Sequence, residues 1–469
     1  MKIKVKNLGV LKQAEFTLGD LTIICGGNNS GKTYATYALF GFLDTWQDYV
    51  SIDIPLASIE QLLAQGVIRI DLQQYIDNID NIISKACHNY TKDLSKIFAS
   101  PENRFDDAEF KISIEKLDVK LMGNVNGKIN SPDGSTVFLS IDKATESTEM
   151  IVTSVATHLV AQVPLNTIKS YIETIIKDVI FALIFPRIFI ASVERTGAAI
   201  FRKELNLSRN LFFEQAMEAS RDSGQNISNF REIFRVRYQD YPLPVKKNVD
   251  FMRDLENVFK KSSFVAEKHP DILASFADII GGEYTVTRED ELYYIPKQQK
   301  RVKLSMDGSS SAVRSLLDIG FYLKHEAKRG DLLMIDEPEL NLHPENQRRV
   351  ARLIARLINI GVKVFITTHS DYIIKELNTL IMLNHDRPHL KQLAEDEGYL
   401  SEELLSVDRI KVYIAEEALV KLDGKTRKVK VPTLTAAKID SERGIEARSF
   451  DVTIDDMNRI QDAIVWGGE

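Results

Sequence analysis

The chain has 469 residues, 44% of them hydrophobic and 27% charged, with a formal net charge of −7. That is room for about two to four structural units and an ample core, with the composition of a soluble globular protein. The mild acidity gives no electrostatic case for a protein coated in nucleic acid, but it leaves space for a local basic groove. Two cysteines, Cys25 and Cys87, cannot build a disulfide framework or a zinc cluster by themselves. Cys25 ends an apolar run and reads as a small buried hydrophobe rather than a redox sensor. The N-terminus enters a β-like alternation with no signal peptide. The longest apolar stretch, Val179 to Phe185, stops at Pro186-Arg187, too short for a bilayer. A cytoplasmic protein with no membrane partner is expected.

In chain order, three short β runs come first: Ile3 to Asn7, Ala14 to Leu18 and Leu21 to Cys25, the third apolar throughout, as in a strand buried on both faces. A glycine-rich loop follows, and then a helix from Tyr34 to Phe42. Ile76, Ile79, Ile83, Ala86, Tyr90, Leu94 and Ile97 recur at helical spacing and predict one long amphipathic helix. Alternation takes over at 108–152 (Phe110, Ile112, Ile114; Val137, Leu139, Ile141), with a turn at Pro132-Asp133-Gly134. A second helix carries Leu165, Ile168, Ile172, Ile175, Ile176 and Val179; its spacing suits core packing better than a coiled-coil arm. Ile188 to Ala191 reads as a strand ahead of Ser192-Val193-Glu194-Arg195. Residues 203–280 are mostly helical, and a hairpin turns around Glu289-Asp290. Strands and helices alternate from Val302 to Leu383. A hairpin turning at Asp423-Gly424 and a helix from about Ile454 to Val465 close the chain.

The loop Gly26-Gly27-Asn28-Asn29-Ser30-Gly31-Lys32-Thr33 satisfies G-x-x-x-x-G-K-[ST] in the strand–loop–helix context that such a loop needs. Its backbone N–H groups are expected to turn toward phosphates at the positive end of the following helix, with Lys32 on the β and γ phosphates and the Thr33 hydroxyl on Mg²⁺. About 300 residues on, Leu332 to Glu337 is an apolar run ending in two acids: Asp336 suits Mg²⁺, usually through water, and Glu337 suits the general base toward water. Val364 to Thr368 is another apolar run, ending in His369, which fits a γ-phosphate sensor. Both ends of an ATP site in one chain predict an ATPase whose fold carries a large insertion.

The order of phosphate loop, Asp307-Gly308-Ser309-Ser310-Ser311-Ala312-Val313-Arg314, Asp-Glu strand, Pro338-Glu339-Leu340-Asn341-Leu342-His343-Pro344 and Thr368-His369-Ser370 resembles the ABC-type ATPase heads. Within them it resembles the branch with SMC, RecF and OLD proteins, often labelled AAA ATPase domains, over about residues 1–45 and 186–383. The resemblance implies an α/β P-loop head with a large helical and β insertion and a small C-terminal α+β extension. Its layout would be core 1–45, insertion 46–185, core strand 186–200, helical insertion and hairpin 201–300, core 301–383 and extension 384–469. It implies ATP and Mg²⁺ as cofactors, Asn28 to Thr33 as the phosphate-binding set, and Ser310 and Ser311 as ligands of the γ phosphate bound by the opposite protomer of a head-to-head dimer or higher homo-oligomer. Asn341 and His343 would lie in the loop crossing that interface, and Arg195 in the place of the Q-loop. Ala312 departs from the glycine usual at its position.

The stretch Thr367 to Asn378 resembles the ATPases of two-gene defence loci such as PARIS and Septu. That resemblance implies a sensor or scaffold controlling an effector encoded nearby, such as a nuclease, with a phage-derived trigger. The alternative is a RecF-like ATPase clamping DNA, for which the basic hairpin Lys421, Lys425, Arg427, Lys428 and Lys430 speaks, although such charge runs are usually solvated faces. No acidic strand with an Asp-x-Asp pair follows His369, so a fused TOPRIM nuclease is not expected. His385 and His389, split by Pro388, read as a polar loop rather than a metal site.

Overall fold

The computed structural model describes residues 1–130, 137–155, 163–201, 241–287, 291–446 and 457–464. The expected turns at Pro132-Asp133-Gly134 and Glu289-Asp290, and the helical segment 203–240, lie wholly or partly outside them. The chain divides into two compact units: Met1–Lys4, Phe42–Lys92 and Glu109–Arg187 form one, and Val5–Gly41, Asp93–Ala108 and Ile188–Glu469 the other.

Strands β1 (Lys2–Leu8), β2 (Leu11–Thr17) and β3 (Leu21–Cys25) lead into helix α1 (Lys32–Tyr49). The insertion unit then contributes α2 (Leu56–Gln65), β4 (Val67–Asp71), α3 (Gln73–Asp77) and α4 (Ile79–Lys92). The single long helix read from the isoleucine spacing is interrupted at Asn78 and again at Asp93, both with φ and ψ in the bridge region. Asn and Asp offer the backbone competing side-chain hydrogen bonds, so the hydrophobic period runs on while the helix does not. Strands β5 (Glu109–Ser113), β6 (Val125–Asn130), β7 (Val137–Lys143) and β8 (Glu149–Ser154) precede α5 (Leu165–Phe181). β4, β8, β7 and β6 form an antiparallel sheet in that order. The core of this unit is aromatic: Phe42 meets Tyr90, Phe110 and Phe185 at ring separations of 5.3, 5.5 and 5.5 Å, and Trp46 lies 5.4 Å from Phe185. Edge and offset contacts of that kind add to area burial.

The other unit resumes with β9 (Ile188–Ala191), α6 (Arg195–Ile200), α7 (Leu243–Arg253), α8 (Pro270–Ile280) and a hairpin of β10 (Gly282–Val286) and β11 (Leu292–Pro296). Two short helices, α9 (Ser311–Ser315) and α10 (Leu317–Phe321), pass into one π-helical turn at Tyr322–Glu326. β12 (Leu332–Asp336), α11 (Pro344–Asn359), β13 (Lys363–Thr368), α12 (Asp371–Met382), β14 (Ile410–Lys421) and β15 (Lys428–Ala436) complete it. The central sheet has the order β15-β14-β3-β13-β12-β9, parallel except for β15.

Residues beyond Leu383 are expected as an extension, yet 410–414 of β14 pair in parallel with the whole of β3. The second half of β14 pairs only with β15, so this hairpin outruns β3 by seven residues, Ala415 to Lys421. All five residues of β3 and of β12 are buried, which is why both strands are runs of Leu, Ile, Met and Thr, ending in Cys25 and Asp336, without polar alternation.

Candidate functional site

In a parallel sheet the carboxyl ends of the strands share one edge, and open α/β folds bind ligands there. Four such ends carry the chemistry of this chain. β3 delivers the phosphate loop, β12 delivers Glu337, β13 delivers His369, and β9 delivers Ser192 to Arg195. The registers set them side by side: Ala191 lies opposite Ile335, Asp336 opposite Thr367, and Thr368 opposite Cys25.

Gly26 has φ of 142°, and a Cβ there would lie 2.6 Å from the Ala415 carbonyl; Gly31 has φ of 98°, and its Cβ would lie 2.7 Å from Leu11 Cγ. Close packing and a left-handed backbone therefore both demand glycine at the two ends of the loop. Asn29 also has positive φ, at 58°. Asn28, Asn29 and Thr33 are exposed and Ser30 is half-buried, its hydroxyl donating to Gly27 O at 2.7 Å. Lys32 is buried, with Nζ donating to Gly26 O at 2.9 Å and Gly27 O at 2.8 Å. Burial lowers its pKa, against the pull of Glu337, Asp336 and Glu339.

Asp336 is 1% exposed. Its Oδ1 accepts from the Thr367 hydroxyl, while its Oδ2 has no hydrogen-bond partner. Burial pushes this carboxyl up to about 6, with the Thr367 hydrogen bond opposing and the neighbouring Glu337 charge adding to the rise. An orphaned carboxylate oxygen of this kind fits a hard cation such as Mg²⁺, which takes oxygen ligands. Among the described residues no group of three or more His, Cys, Asp or Glu could hold a metal alone. Protein oxygens such as those of Asp336 and Thr33 would therefore share the ion with water and phosphate.

Glu337 sits in the left-handed region, φ 52°, with its N–H donating to Thr367 O at 3.1 Å and to the Thr367 hydroxyl at 3.3 Å. A non-glycine residue persists there only where its surroundings over-determine it, a condition that concentrates at functional sites. His369 places Nδ1 3.5 Å from Glu337 Oε1 and 3.3 Å from Glu339 Oε1. Glu339, buried, also accepts from His369 N at 2.8 Å and the Thr368 hydroxyl at 2.9 Å, and its Oε2 has no partner. Glu339 orients the histidine. Its place in Pro338-Glu339-Leu340 is the only signal of this contact in the sequence.

Ser310 and Ser311 are exposed. Ser310 caps α9, its hydroxyl accepting from Val313 N at 3.3 Å, and Arg314 Nη1 pins the loop by donating to Met306 O at 3.1 Å and Ser309 O at 2.5 Å. Asn341, with φ of 61°, and His343, which caps α11, are exposed too. Arg195, expected at the Q-loop position, does follow a core strand next to β12. Its guanidinium is fully buried against backbone carbonyls rather than turned outward.

With this geometry in place, the chain matches the AAA ATPase domain family over residues 1–374 and belongs to it. It is a mixed α/β ATPase. Among solved structures it is similar to the SMC head domain from Thermotoga maritima (10% identity, TM-score 0.30, 93% of this chain and 98% of that one covered). It is similar also to an SmcHead bound to the C-winged helix domain of ScpA (13% identity, TM-score 0.30, 92% and 97% covered). No curated protein matches the chain. No helix among the described residues is long and apolar enough to cross a membrane.

Proposed function

We propose that this protein hydrolyses ATP as a head-to-head dimer and uses the cycle as a switch that controls a partner effector, a nuclease, in cytoplasmic anti-phage defence triggered by an invader's product. The observation that carries the ATPase half of the proposal is the meeting of Lys32, Asp336, Glu337 and the Glu339–His369 pair at one sheet edge. Asn28 to Thr33 bind the phosphates, their N–H groups and Lys32 meeting the negative charge. Glu337 takes a proton from the attacking water, a role worth roughly 10²–10⁴-fold in rate. His369, held by Glu339, senses the γ phosphate. Thr33 and Asp336 hold Mg²⁺, which when bound neutralises charge developing on the phosphoryl oxygens. Ser310 and Ser311 reach the partner's γ phosphate, for which their exposure on a capped, pinned loop suits them.

The defence role rests on the resemblance of Thr367 to Asn378 to the ATPases of two-gene defence loci. The test is Glu337→Gln in the purified protein. It should bind ATP, hydrolyse it at least 100-fold more slowly, and elute as a dimer by size-exclusion chromatography with ATP but not ADP. Native turnover in that variant would remove Glu337 as the base. The effector should co-purify from cells expressing the neighbouring gene.

A second reading, a RecF-like ATPase acting on duplex DNA, is favoured by the hairpin of β14 and β15. Lys421 and Lys428 are exposed and directly opposite each other in the ladder, a like-charge pairing that destabilises a sheet. Lys425 and Arg427 add to the charge at the tip, and a two-stranded ribbon fits a major groove. DNA-stimulated turnover with steep salt dependence would favour this reading.

A further inference from the structure

Arg195 is the largest fully buried side chain in the described structure, and it is spent entirely on backbone. Nε donates to Ser315 O at 2.6 Å, Nη1 to Ser192 O and Asp336 O at 2.7 Å each, and Nη2 to Glu337 O at 2.8 Å. Four of the five N–H donors of the guanidinium fork are thereby used, all of them on backbone carbonyls. Its electrostatic neighbours are carboxylates: Asp318, then Asp336, Glu339 and Glu337. A buried arginine that merely filled space could be replaced by apolar atoms of similar volume at little or no cost in stability, so what a fork adds is geometry.

The four carbonyls belong to three separate pieces of the ATPase unit. Ser315 O ends α9, the short helix that Ser310 caps. Asp336 O and Glu337 O are the tip of the catalytic strand, and Ser192 O is the turn after β9. Glu337 is clamped from both sides in its left-handed conformation: Thr367 O receives its N–H, and Arg195 holds its carbonyl. A single planar group thus joins the end of α9 to the backbone of Glu337.

We propose that Arg195 is a positioning residue that couples the serine segment to Glu337 within one protomer, so that the two composite sites of the dimer fire together. This rests on the dimer reading above. The physical sense follows from that symmetry: the serine segment of each protomer contacts the partner's nucleotide, whereas its Glu337 serves its own. A stiff link between the two inside one chain is the connection that lets occupancy of one site be read at the other.

The experiment compares native protein with Arg195→Lys and Arg195→Gln in the full chain, measuring hydrolysis against ATP concentration. It adds ATP-dependent dimerisation of each substitution in the Glu337→Gln background. Lysine keeps the charge but cannot span three backbone pieces in a plane. The native enzyme should show a Hill coefficient above one. Arg195→Lys should lower kcat by about 10- to 100-fold and bring the Hill coefficient to one, with half-saturation changed less than about twofold and the trapped dimer still forming. A native Hill coefficient of one, or Arg195→Lys with native kcat and cooperativity, overturns the proposal. Should Glu337→Gln alone fail to dimerise with ATP, the dimer reading fails instead. If neither arginine variant folds, mixed dimers with one Glu337→Gln protomer decide. Half the native rate per dimer means independent sites and ends the proposal; a rate below about one tenth supports it.

Discussion

Asp318 offers a direct measurement of what it costs to build this site. It lies on α10, 1% exposed, with neither carboxylate oxygen hydrogen-bonded. Burial pushes its carboxyl from 3.8 up to about 7, and the Arg195 guanidinium pulls in the other direction without winning. Between those two values the folded chain holds a proton that the unfolded chain has released. The stability this contributes is fully present below 3.8, is lost as pH rises through about 7, and does not return at higher pH. At 1.36 kcal/mol per pH unit the whole effect is about 4 kcal/mol, of which about 2.5 kcal/mol falls between pH 5 and pH 8. Asp318→Asn is nearly isosteric and cannot titrate. Urea unfolding followed by circular dichroism at those two pH values should show the native protein losing about 2.5 kcal/mol more than the variant. A shallower decline remains in both, because Asp336, raised to about 6, titrates in the same direction. Equal pH dependence in the two proteins would refute the reasoning and mean that Asp318 finds a partner that the structure does not supply.

Lys32→Ala should weaken ATP binding by more than about 100-fold, measured with a fluorescent nucleotide, because it removes the one cation of the loop in a partly desolvated setting; native affinity would take the phosphates away from this loop. Phe42→Ala should destabilise the insertion unit by about 3–5 kcal/mol, since the ring is fully buried among Tyr90, Phe110 and Phe185. A change below about 1 kcal/mol in its unfolding transition would show that those rings close over the cavity.

The parts of the site that are contiguous in the chain are legible from the sequence alone. A glycine-lysine loop after an apolar strand, and a strand ending in Asp336-Glu337, declare themselves because strand, turn and ligand are neighbours in sequence. What escapes a reading of the sequence depends on distant pairing. Residues 410–414 look like half of a hairpin, and nothing local reveals that they lie in parallel beside β3, some 390 positions earlier. Arg195 and Asp318 sit 123 positions apart, so one being the charge counterpart of the other is a property of burial alone. The isoleucine spacing from Ile76 to Ile97 marks the buried face correctly, but the same period hides the breaks at Asn78 and Asp93, where the helix is interrupted.

The carboxylates around the site make a last quantity measurable. Asp336, Glu337 and Glu339 all act on Lys32, and the same three together with Asp318 act on Arg195. Burial is the main cause of the rise of Asp336 to about 6, and the neighbouring Glu337 charge adds to it. If Asp336 holds Mg²⁺, the ion must displace its proton, because a metal ligand has to be deprotonated. Calorimetric titration of Mg²⁺ into the nucleotide-bound Glu337→Gln protein, in buffers of different ionisation enthalpy, should then show Asp336 releasing about half a proton near pH 6 and almost none at pH 8. Asp336→Asn should abolish the release along with tight Mg²⁺ binding. Proton release that is the same at both pH values would place the ion elsewhere, and the orphaned Oδ2 would then need another explanation.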